Sequence, residues 1–424
     1  MHTISGGGGV FMAAIVLMTT GVSAQEPVLI GTPEMTALRE LQQTRNPLLA
    51  ARRSAVDAAR IRNGGVQSIG PITFFFELEE ASVGEPGNHT LRAGVEHEFT
   101  ARGQAAADRA RTQSQLRVAQ AELVSATVSN SIDLEQHAIE SAVWDRIRAR
   151  LIVEDSLLVR ASATLNARFA AGTARYVDVV RMRTERLRVQ AEAARALARA
   201  EAARQHMAGS VGTGANDLIP AAIASIRDLP VPVLPAVDEM SRVSPALALA
   251  DAQIATARAD LASARVANAR RWSAGVGLQR FDGVDGYTLG PLLLGSVTLP
   301  VPERSVRQAL VSAATRDTLT VVGLRAAILT RLGGDVSAAE TRFAAARQQF
   351  EAIDQRLLSA AREERESALI GYAAGELSLL ELLDFERALA RAEIQRLESY
   401  LEMIDVWTGL WRTAATGGHE ETRS

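Results

Sequence analysis

The sequence contains no cysteine and no lysine, and only 4% of its 424 residues are aromatic. Without cysteine there is no disulfide framework, thiolate metal site, cysteine nucleophile or lipid-bearing N-terminal cysteine. The net charge of −3 argues against a nucleic-acid binder, which usually carries a strongly basic face. Few aromatic side chains leave little apolar area for one thick globular core. The abundant alanine, arginine, leucine and glutamate instead predict long helices.

An apolar run at residues 10–18 is followed by small residues up to Ala24. This pattern predicts a secretory signal peptide over residues 1–24, although no basic residue precedes the run. The run is too short to cross a bilayer as a helix, which needs about 20 apolar residues. No later stretch reaches that length without charge, so the sequence predicts an exported chain without a transmembrane helix.

Proline and glycine, which punctuate helices, are confined to a few places. Neither occurs between Gly103 and Gly172, which predicts a helix over residues 104–169, about 100 Å long. Gly172 then predicts a tight reversal, followed by a helix that returns over residues 176–207. A helix this long must pack against neighbours as in a coiled coil, because it would otherwise expose its apolar stripe.

Two segments alternate between apolar and polar residues with the period of a β-strand. They predict one hairpin over about residues 68–100 and another over about residues 272–301. On one face of the second hairpin lie Trp272, Ala274, Val276 and Leu278. Each predicted strand has about ten or more residues, a length that crosses a bilayer when the strand is tilted.

The same order of elements occurs twice, which predicts an internal duplication of about 200 residues. Asn46-Pro47 opens the first copy and Ser244-Pro245 the second, while Phe169-Ala170-Ala171-Gly172 and Tyr372-Ala373-Ala374-Gly375 form the two reversals. The predicted first repeat is 25–240, with its hairpin at 68–100, long helices at 104–207 and a linker at 209–235. The predicted second repeat is 241–415, with its hairpin at 272–301 and long helices at 305–415, weakened at Gly323 and Gly333-Gly334; a tail follows at 416–424.

Four strands are too few to close a barrel of useful size, and lipid does not tolerate unpaired backbone groups. Several copies must therefore combine so that every strand edge is paired. A trimer with four strands from each chain would close a twelve-stranded barrel, continued by a tube of twelve helices. The predicted fold class is mainly α with a small β part, and the assembled object is a conduit rather than an enzyme.

In its order and spacing of motifs, the sequence resembles the TolC family of outer-membrane efflux proteins over nearly the whole mature chain. The resemblance is carried by the repeat starts and reversals quoted above, by Leu299-Pro300 and by residues 382–388 of the return helix. It implies a homotrimer with a β-barrel in the outer membrane and an α-helical tunnel through the periplasm. It also implies two partners, a periplasmic adaptor and an inner-membrane pump, in a tripartite efflux or export system. Many relatives carry Phe and then Asn or Asp where this chain has Val301-Pro302-Glu303.

The resemblance further implies a periplasmic gate. In similar proteins, acidic residues at the positions of Glu381 and Asp384 face the axis, where a trimer would gather six carboxylates. The matching positions of the first repeat are Asp178 and Arg181, and Arg181 is a candidate to pair with those carboxylates and hold the mouth shut. Alternatively, Glu381 and Asp384 complement the helix dipole or are simply solvated. The implied adaptor-docking tips are Gly172, Thr173, Gly375 and Glu376.

No other motif supports an enzyme, a cofactor or a metal site. The six histidines have no ligand spacing, and the sequence offers no set of acid, base and nucleophile. Trp272, Phe281 and Tyr287 lie in or beside the second hairpin, where they fit either an aromatic girdle at the bilayer interface or core packing. The alternative function is a periplasmic structural or adaptor coiled-coil protein without a barrel.

Overall fold

The computed structural model describes residues 28–65, 70–80, 89–99, 103–212, 217–266, 271–283, 286–298 and 304–417. The predicted signal peptide, the Leu299-Pro300 element and nearly all of the predicted tail lie outside these residues. Within the described ranges, no helix is both long enough and apolar enough to cross a membrane.

The long helices, the strands and the two reversals fall where the sequence predicts them, with boundaries shifted by a few residues. The sequence does not predict the short helices at residues 218–225 and 237–243. The first repeat region contains α1 (Pro33–Arg45), α2 (Pro47–Gly64), β1 (Ile72–Glu80), β2 (His89–Phe99), α3 (Gln104–Ala170), α4 (Tyr176–Val211) and α5 (Leu218–Ser225). Then follow α6 (Val237–Val243), α7 (Pro245–Val266), β3 (Arg271–Gly283), β4 (Gly286–Thr298), α8 (Arg304–Ala352), a π-helical segment (Ile353–Leu357), α9 (Leu358–Ala374) and α10 (Leu379–Thr416).

The two repeat starts, Asn46-Pro47 and Ser244-Pro245, have the same structural role. Asn46 caps α2 with its side-chain oxygen, and its amide group donates a hydrogen bond to the Ser210 carbonyl at the end of α4. The Ser244 hydroxyl donates to the Ala414 carbonyl near the end of α10, 2.7 Å away. Proline fits the first helical position because its missing amide hydrogen would have no partner there. Each start therefore ties a new helix to the end of the return helix of its own repeat.

The helices and strands form a ribbon that is four elements wide. The sheet has the order β1-β2-β3-β4, with all neighbouring strands antiparallel. Next to the sheet the helices follow the order α2-α3-α7-α8, and near the reversals they follow the order α4-α3-α10-α9. One side of the ribbon, which we call the first edge, consists of β1, α2 and α4. The opposite side, the second edge, consists of β4, α8 and α9.

The helices near the reversals pack as coiled coils. Along α3, buried side chains recur three or four residues apart from Leu151 to Leu165, and along α4 they recur every seven residues from Met182 to Ala196. These are the spacings of a heptad pattern, which keeps one stripe of each helix against its neighbour. The predicted coiled-coil packing is therefore present within one chain.

The second long helix is interrupted, but not at the predicted weak points. Gly323 and the Gly333-Gly334 pair lie inside the continuous helix α8, and the interruption is the π-helical segment Ile353–Leu357. A glycine lowers helix propensity by about 1 kcal/mol, which packing elsewhere along a long helix easily offsets. A π-helical turn instead inserts one extra residue and re-aims the side chains that follow it.

The described part of the predicted linker at 209–235, which leaves out residues 213–216, is packed against the helices. Its segment Leu218–Ser225 forms α5, which buries Ile219 and Ile223. Further along, the Tyr400 hydroxyl of α10 donates a hydrogen bond to the Pro230 carbonyl at 2.7 Å. This segment therefore connects the two repeats as part of the folded structure and not as a free tether.

Candidate functional site

The β-sheet has one continuous apolar face. The register places Phe74, Val95, Val276 and Leu293 in one row across the four strands. Neighbouring positions on the same face are Ile72, Phe76, Leu78, Leu91, Ala93, Ala274, Leu278 and Leu289. Phe74 is 80% exposed and Leu293 is 81% exposed. An exposed apolar surface of this extent is typical of contact with a membrane or another protein.

The opposite face of the sheet carries charged and polar side chains. The Arg92 guanidinium lies 3.5 Å from the carboxylate of Glu77 and 3.0 Å from that of Glu79. Elsewhere on this face the Ser273 hydroxyl donates a hydrogen bond to the Glu96 carboxylate. One face of the sheet is thus apolar, and the other carries most of its charged side chains together with a few apolar ones, such as Leu292 and Leu294. A sheet with two such faces resembles a membrane-barrel wall.

Glycines bring the two central strands together on the polar face. Gly94 of β2 lies opposite Gly277 of β3. A Cβ atom on Gly94 would come within 2.5 Å of the Val276 carbonyl oxygen and 2.6 Å of the Phe75 ring. The ring of Phe75 therefore occupies the space that a side chain at position 94 would need, and only glycine fits there.

Aromatic residues lie at both ends of the apolar face. Phe99 and Trp272 are register partners at the end nearest the helices, and Tyr287 lies on β4 at the far end. The Arg280 guanidinium carbon lies 4.7 Å from the centre of the Tyr287 ring. Phe281 does not belong to this set, because it lies an odd number of residues from Trp272 and therefore points to the polar face. Of the three aromatic residues grouped in the sequence analysis, only Trp272 and Tyr287 therefore share the apolar face.

Both sides of the ribbon are open. Among the described strands, β1 and β4 each have a neighbour on one side only. The first half of α8, on the second edge, exposes Val306, Leu310, Leu319 and Val322. An unpaired strand edge is not tolerated in lipid and is a template for pairing with another chain, and an exposed apolar helix face is typical of a contact surface.

The two helix reversals form the other candidate region. Gly172 has φ 74° and Gly375 has φ 79°, the left-handed conformation that glycine adopts without strain. Both glycines and their neighbours Thr173 and Glu376 are exposed. The Thr173 hydroxyl donates to the Arg168 carbonyl at 3.0 Å and so closes the end of α3. All four predicted docking residues are accessible on one chain, and their docking role stays a prediction.

Glu381, the third residue of α10, takes part in the N-terminal cap of that helix. The Ser378 hydroxyl accepts a hydrogen bond from the Glu381 amide, and the Glu381 carboxylate accepts one from the Ser378 amide at 2.7 Å. These contacts form a capping box at the start of α10. The hydrogen bond from the Ser378 amide, together with the Ser378 side chain, lowers the pKa of Glu381. Within one chain, this carboxylate therefore serves the helix start.

The other predicted gate residues are not gathered into one site within a single chain. Asp384 accepts a hydrogen bond from Arg387 at 2.9 Å, one turn further along α10. Asp178 accepts a forked pair of hydrogen bonds from Arg175, both at 3.0 Å. Arg181 is exposed, and its side chain makes no ion pair in the part of the chain that the structure describes. The predicted pairing of Arg181 with the carboxylates of the second repeat does not occur within one copy.

Behind the reversals lies a buried charged cluster that the sequence analysis missed. Glu154 of α3 is 6% exposed, and burial raises its pKa, partly opposed by Arg150, Arg188 and Arg387. Arg387 of α10 also approaches Glu185 of α4 to 3.5 Å. The signal that marks this cluster is the heptad pattern of α3, in which residue 154 takes a core position. The cluster links the helical hairpin of α3 and α4 to helix α10 of the second repeat.

Two histidines meet away from these regions. His137 of α3 and His206 of α4 stack with ring centres 4.9 Å apart. His137 Nδ1 lies 3.0 Å from the Glu140 carboxylate, which lowers the pKa of Glu140 against the opposing effect of burial. In the residues that the structure covers, no group of three or more histidine and acidic side chains is placed to hold a metal ion.

No protein-family model and no curated protein sequence matches this chain. Solved structures do match its fold. A membrane protein from Pseudomonas aeruginosa superposes with a TM-score of 0.74 at 18% identity, covering 91% of this chain and 94% of that one. The outer-membrane channel OprN gives 0.72 at 19% identity, covering 91% of each chain. The outer-membrane protein VceC from Vibrio cholerae gives 0.71 at 16% identity, covering 91% of this chain and 96% of that one.

The chain has the fold of outer-membrane channel proteins. This likeness confirms the predicted fold class, mainly α-helical with a small antiparallel sheet, and the predicted resemblance at the level of fold. It covers 91% of this chain in each of the three superpositions.

Proposed function

We propose that this chain is one subunit of an outer-membrane channel in a tripartite efflux or export system. Three copies enclose a continuous passage, with the sheets in the outer membrane and the helices reaching across the periplasm. The channel conducts substrates passively, and a periplasmic adaptor and an inner-membrane pump deliver them. Its fold is shared with channels such as OprN, which supports this assignment over that of a periplasmic coiled-coil protein without a barrel.

The observation that carries the proposal is the sheet with an apolar face, a polar face and two open edges. From Trp272 to Arg280, strand β3 extends about 26 Å along its own direction. A tilt of about 40° reduces this to about 20 Å, close to the apolar band of about 25 Å found on membrane barrels. The apolar face therefore has a height suited to the outer membrane, with Trp272 and Tyr287 near its two limits.

Closure of the ribbon supports a ring of copies. Because each chain supplies an even number of antiparallel strands, β4 of one copy meets β1 of the next in antiparallel orientation. Three chains then give a twelve-stranded barrel without a free edge. In the helical part, α8 and α9 of one copy likewise meet α2 and α4 of the next. The polar face, with Arg92, Glu77 and Glu79, becomes the lining of the passage.

The test is reconstitution of the purified full-length chain in detergent and then in planar bilayers. We expect a trimer by light scattering and stepwise ion conductance. Val276→Arg, at the centre of the apolar face, should block insertion, because a midplane arginine costs about 2–4 kcal/mol. Gln279→Arg, on the polar face of the same strand, should insert normally. A water-soluble, monodisperse single subunit would contradict the proposal.

The gate and the docking tips are part of the same proposal. We place Glu381 and Asp384 at the periplasmic mouth, where three copies would gather their carboxylates, and we assign adaptor docking to the exposed reversals. Replacing both carboxylates with alanine should raise the conductance of the closed channel in bilayer recordings, because their local helix contacts and their charge are lost together. Unchanged conductance would remove these residues from the gate and leave the channel function intact.

A further inference from the structure

Near the reversals, the first edge of the ribbon ends in an uncovered apolar stripe on α4. Met182 is buried against α3, and the side of α4 opposite to it carries Tyr176, Val177, Val180 and Leu187. All four of these side chains are exposed, and Tyr176 is 66% exposed. In the described chain, α3 packs along this part of α4, and Arg387 of α10 reaches Glu185 on the side of α4 away from these four residues. This surface, the α4 stripe, therefore faces away from the rest of its own chain.

The α4 stripe lies in a basic environment. Arg181 and Arg183 flank it, one on each side, and both are exposed without an ion pair to any described residue. Residues 160–188, which span the first reversal, contain seven arginines and two carboxylates. An apolar strip bordered by arginines and a tyrosine has the composition of an interface centre.

The second edge ends in a face of opposite charge on α9. Ala361 and Ala368 are buried against α10, and the far side of the helix carries Glu363, Glu366 and Ile370. Ile370 is 68% exposed, and neither glutamate has an ion pair among the described residues. This surface is the α9 face.

The charge of the second reversal is also inverted as a whole. Residues 363–391, which match 160–188 when the two reversal glycines are aligned, contain seven carboxylates and three arginines. The α4 stripe and the α9 face begin within a few helical turns of their reversal glycines, so they lie at a similar height on the two sides of the ribbon. Near the sheet, the second edge is not acidic, because the first half of α8 exposes apolar side chains together with several arginines. The contrast between a basic and an acidic edge is therefore confined to the reversal end.

We propose that the α4 stripe of one copy docks on the α9 face of the next copy. Tyr176 and its apolar neighbours then cover Ile370, while Arg181 and Arg183 approach Glu363 and Glu366. This inference rests on the proposed ring of copies and adds what directs its closure at the end farthest from the sheet. It also replaces Glu381 and Asp384, which are engaged within their own helix, as the partners of Arg181.

The charges also decide which edges meet. Two α4 stripes would bring arginines against arginines, and two α9 faces would bring carboxylates against carboxylates, so pairing of like edges in a two-fold dimer is disfavoured. Only the pairing of a first edge with a second edge is attractive. Such head-to-tail contact is the kind that closes a ring. A second copy of the chain is therefore the occupant whose charge complements both faces.

The test is a charge swap across the contact. R181E/R183E and E363R/E366R should each weaken trimerisation in detergent at low salt by at least about tenfold, since attraction becomes repulsion at every contact. The fourfold variant that combines both sets should recover the trimer, because it restores opposite charges with their positions exchanged. Native mass spectrometry over a range of protein and salt concentrations measures the trimer fraction, and circular dichroism monitors folding.

The matched control is R160E/R168E, which makes the same charge change on the same hairpin but on α3. Because these two arginines lie on α3 and do not flank the α4 stripe, the control should weaken trimerisation much less than R181E/R183E does. If the edge variants trimerise normally, if the fourfold variant fails to recover, or if the control weakens assembly equally, the docking of α4 on α9 is wrong. A wild-type chain that forms no trimer contradicts instead the proposed function, so the two failures are distinguishable.

Discussion

The two longest helices, α3 and α8, hold the same place in their repeats but different places in the ribbon. α3 has neighbours on both sides, whereas α8 and its continuation α9 have neighbours on one side only. α3 runs without interruption for 67 residues, and the second helix is broken by the segment Ile353–Leu357. A repeated sequence pattern has thus produced one internal helix and one edge helix, and the edge helix retains exposed apolar side chains such as Leu319 and Ile370.

Deleting one residue should destabilise the internal helix α3 far more than the edge helix, and we expect this to be the largest difference between them. Deleting Ser156 from α3 rotates every later heptad position by about 100° and takes Leu158 and Leu165 out of the core. Deleting Gln355 should be nearly neutral, within about 1 kcal/mol, because it removes the extra residue of a π-helical turn. Before this turn the heptad pattern reaches Ile353 and predicts a buried residue 357, yet Leu357 is 43% exposed and Leu358 is 4% exposed. The shorter chain would carry Leu358 into the heptad position.

Urea denaturation followed by circular dichroism measures the outcome. The Ser156 deletion should lose several kcal/mol of unfolding free energy, as expected when more than one buried leucine leaves the core. Equal losses for the two deletions would mean that the π-helical segment is itself required for packing. The contrast between an internal helix and an edge helix would then not explain the interruption.

Ion pairs offer a second contrast between the same helices. Arg39 pairs with Glu135 of α3, whose side chain is fully buried and also accepts hydrogen bonds from the Leu29 and Ile30 amides. Burial raises the pKa of Glu135, and the charge of Arg39 opposes that effect. Arg39→Ala leaves this carboxylate buried without its partner, and we expect a loss of about 3–5 kcal/mol of unfolding free energy.

The matched control is Arg325→Ala on α8. Arg325 pairs with Asp251 of α7, and both side chains are well exposed, 36% and 56%. An exposed pair of this kind contributes less than about 1 kcal/mol. Similar losses for the Arg39 and Arg325 variants would show that the internal helix gains nothing special from its buried pair.

The local elements could be predicted from sequence because their signals are local. Proline, glycine and the spacing of apolar residues place both hairpins, both reversals and the repeat starts at Asn46 and Ser244. The π-helical segment and α5 depend on which neighbours the chain finds, and their own residues carry no distinctive pattern. The side of the sheet that Phe281 faces depends on the register of β3, since a shift of one residue inverts every side chain.

In the candidate site, too, local features could be predicted from the sequence, whereas features set by neighbouring helices could not. The exposure of Gly172, Thr173, Gly375 and Glu376 could be predicted, because a tight reversal at the end of two long helices has no neighbours. The partners of the charged residues could not, because an arginine side chain reaches several helical positions. Arg387 illustrates this, since it pairs with Asp384 along its own helix and approaches Glu185 across to α4. Only the packing of three helices determines that choice.

The reversals give the smallest contrast. α10 begins with a capping box at Ser378, whereas α4 begins at Arg175, whose side chain accepts no hydrogen bond from a backbone amide of the first turn. Ser378→Ala should therefore lower the local stability of the first turn of α10 by about 1 kcal/mol. Arg175→Ser should raise that of α4 by a similar amount, since residue 178 offers a carboxylate at the third position. Hydrogen exchange of the first-turn amides measures both, and a change confined to neither turn would mean that packing alone fixes the reversals.

The cap also makes the second reversal sensitive to acid. The pKa of Glu381 lies below its ordinary value of 4.5 in the folded chain, so the carboxylate stabilises the fold above that value and its contribution fades as the pH falls through the lowered pKa. Protection of the Ser378 amide should decline over that range in the wild type. Glu381→Gln keeps the shape of the side chain without its titration and should show no such decline. The amides after Arg175 lack this cap and serve as the internal reference. If they lose protection equally at low pH, acid destabilises both reversals in general and the Glu381 cap does not explain the effect.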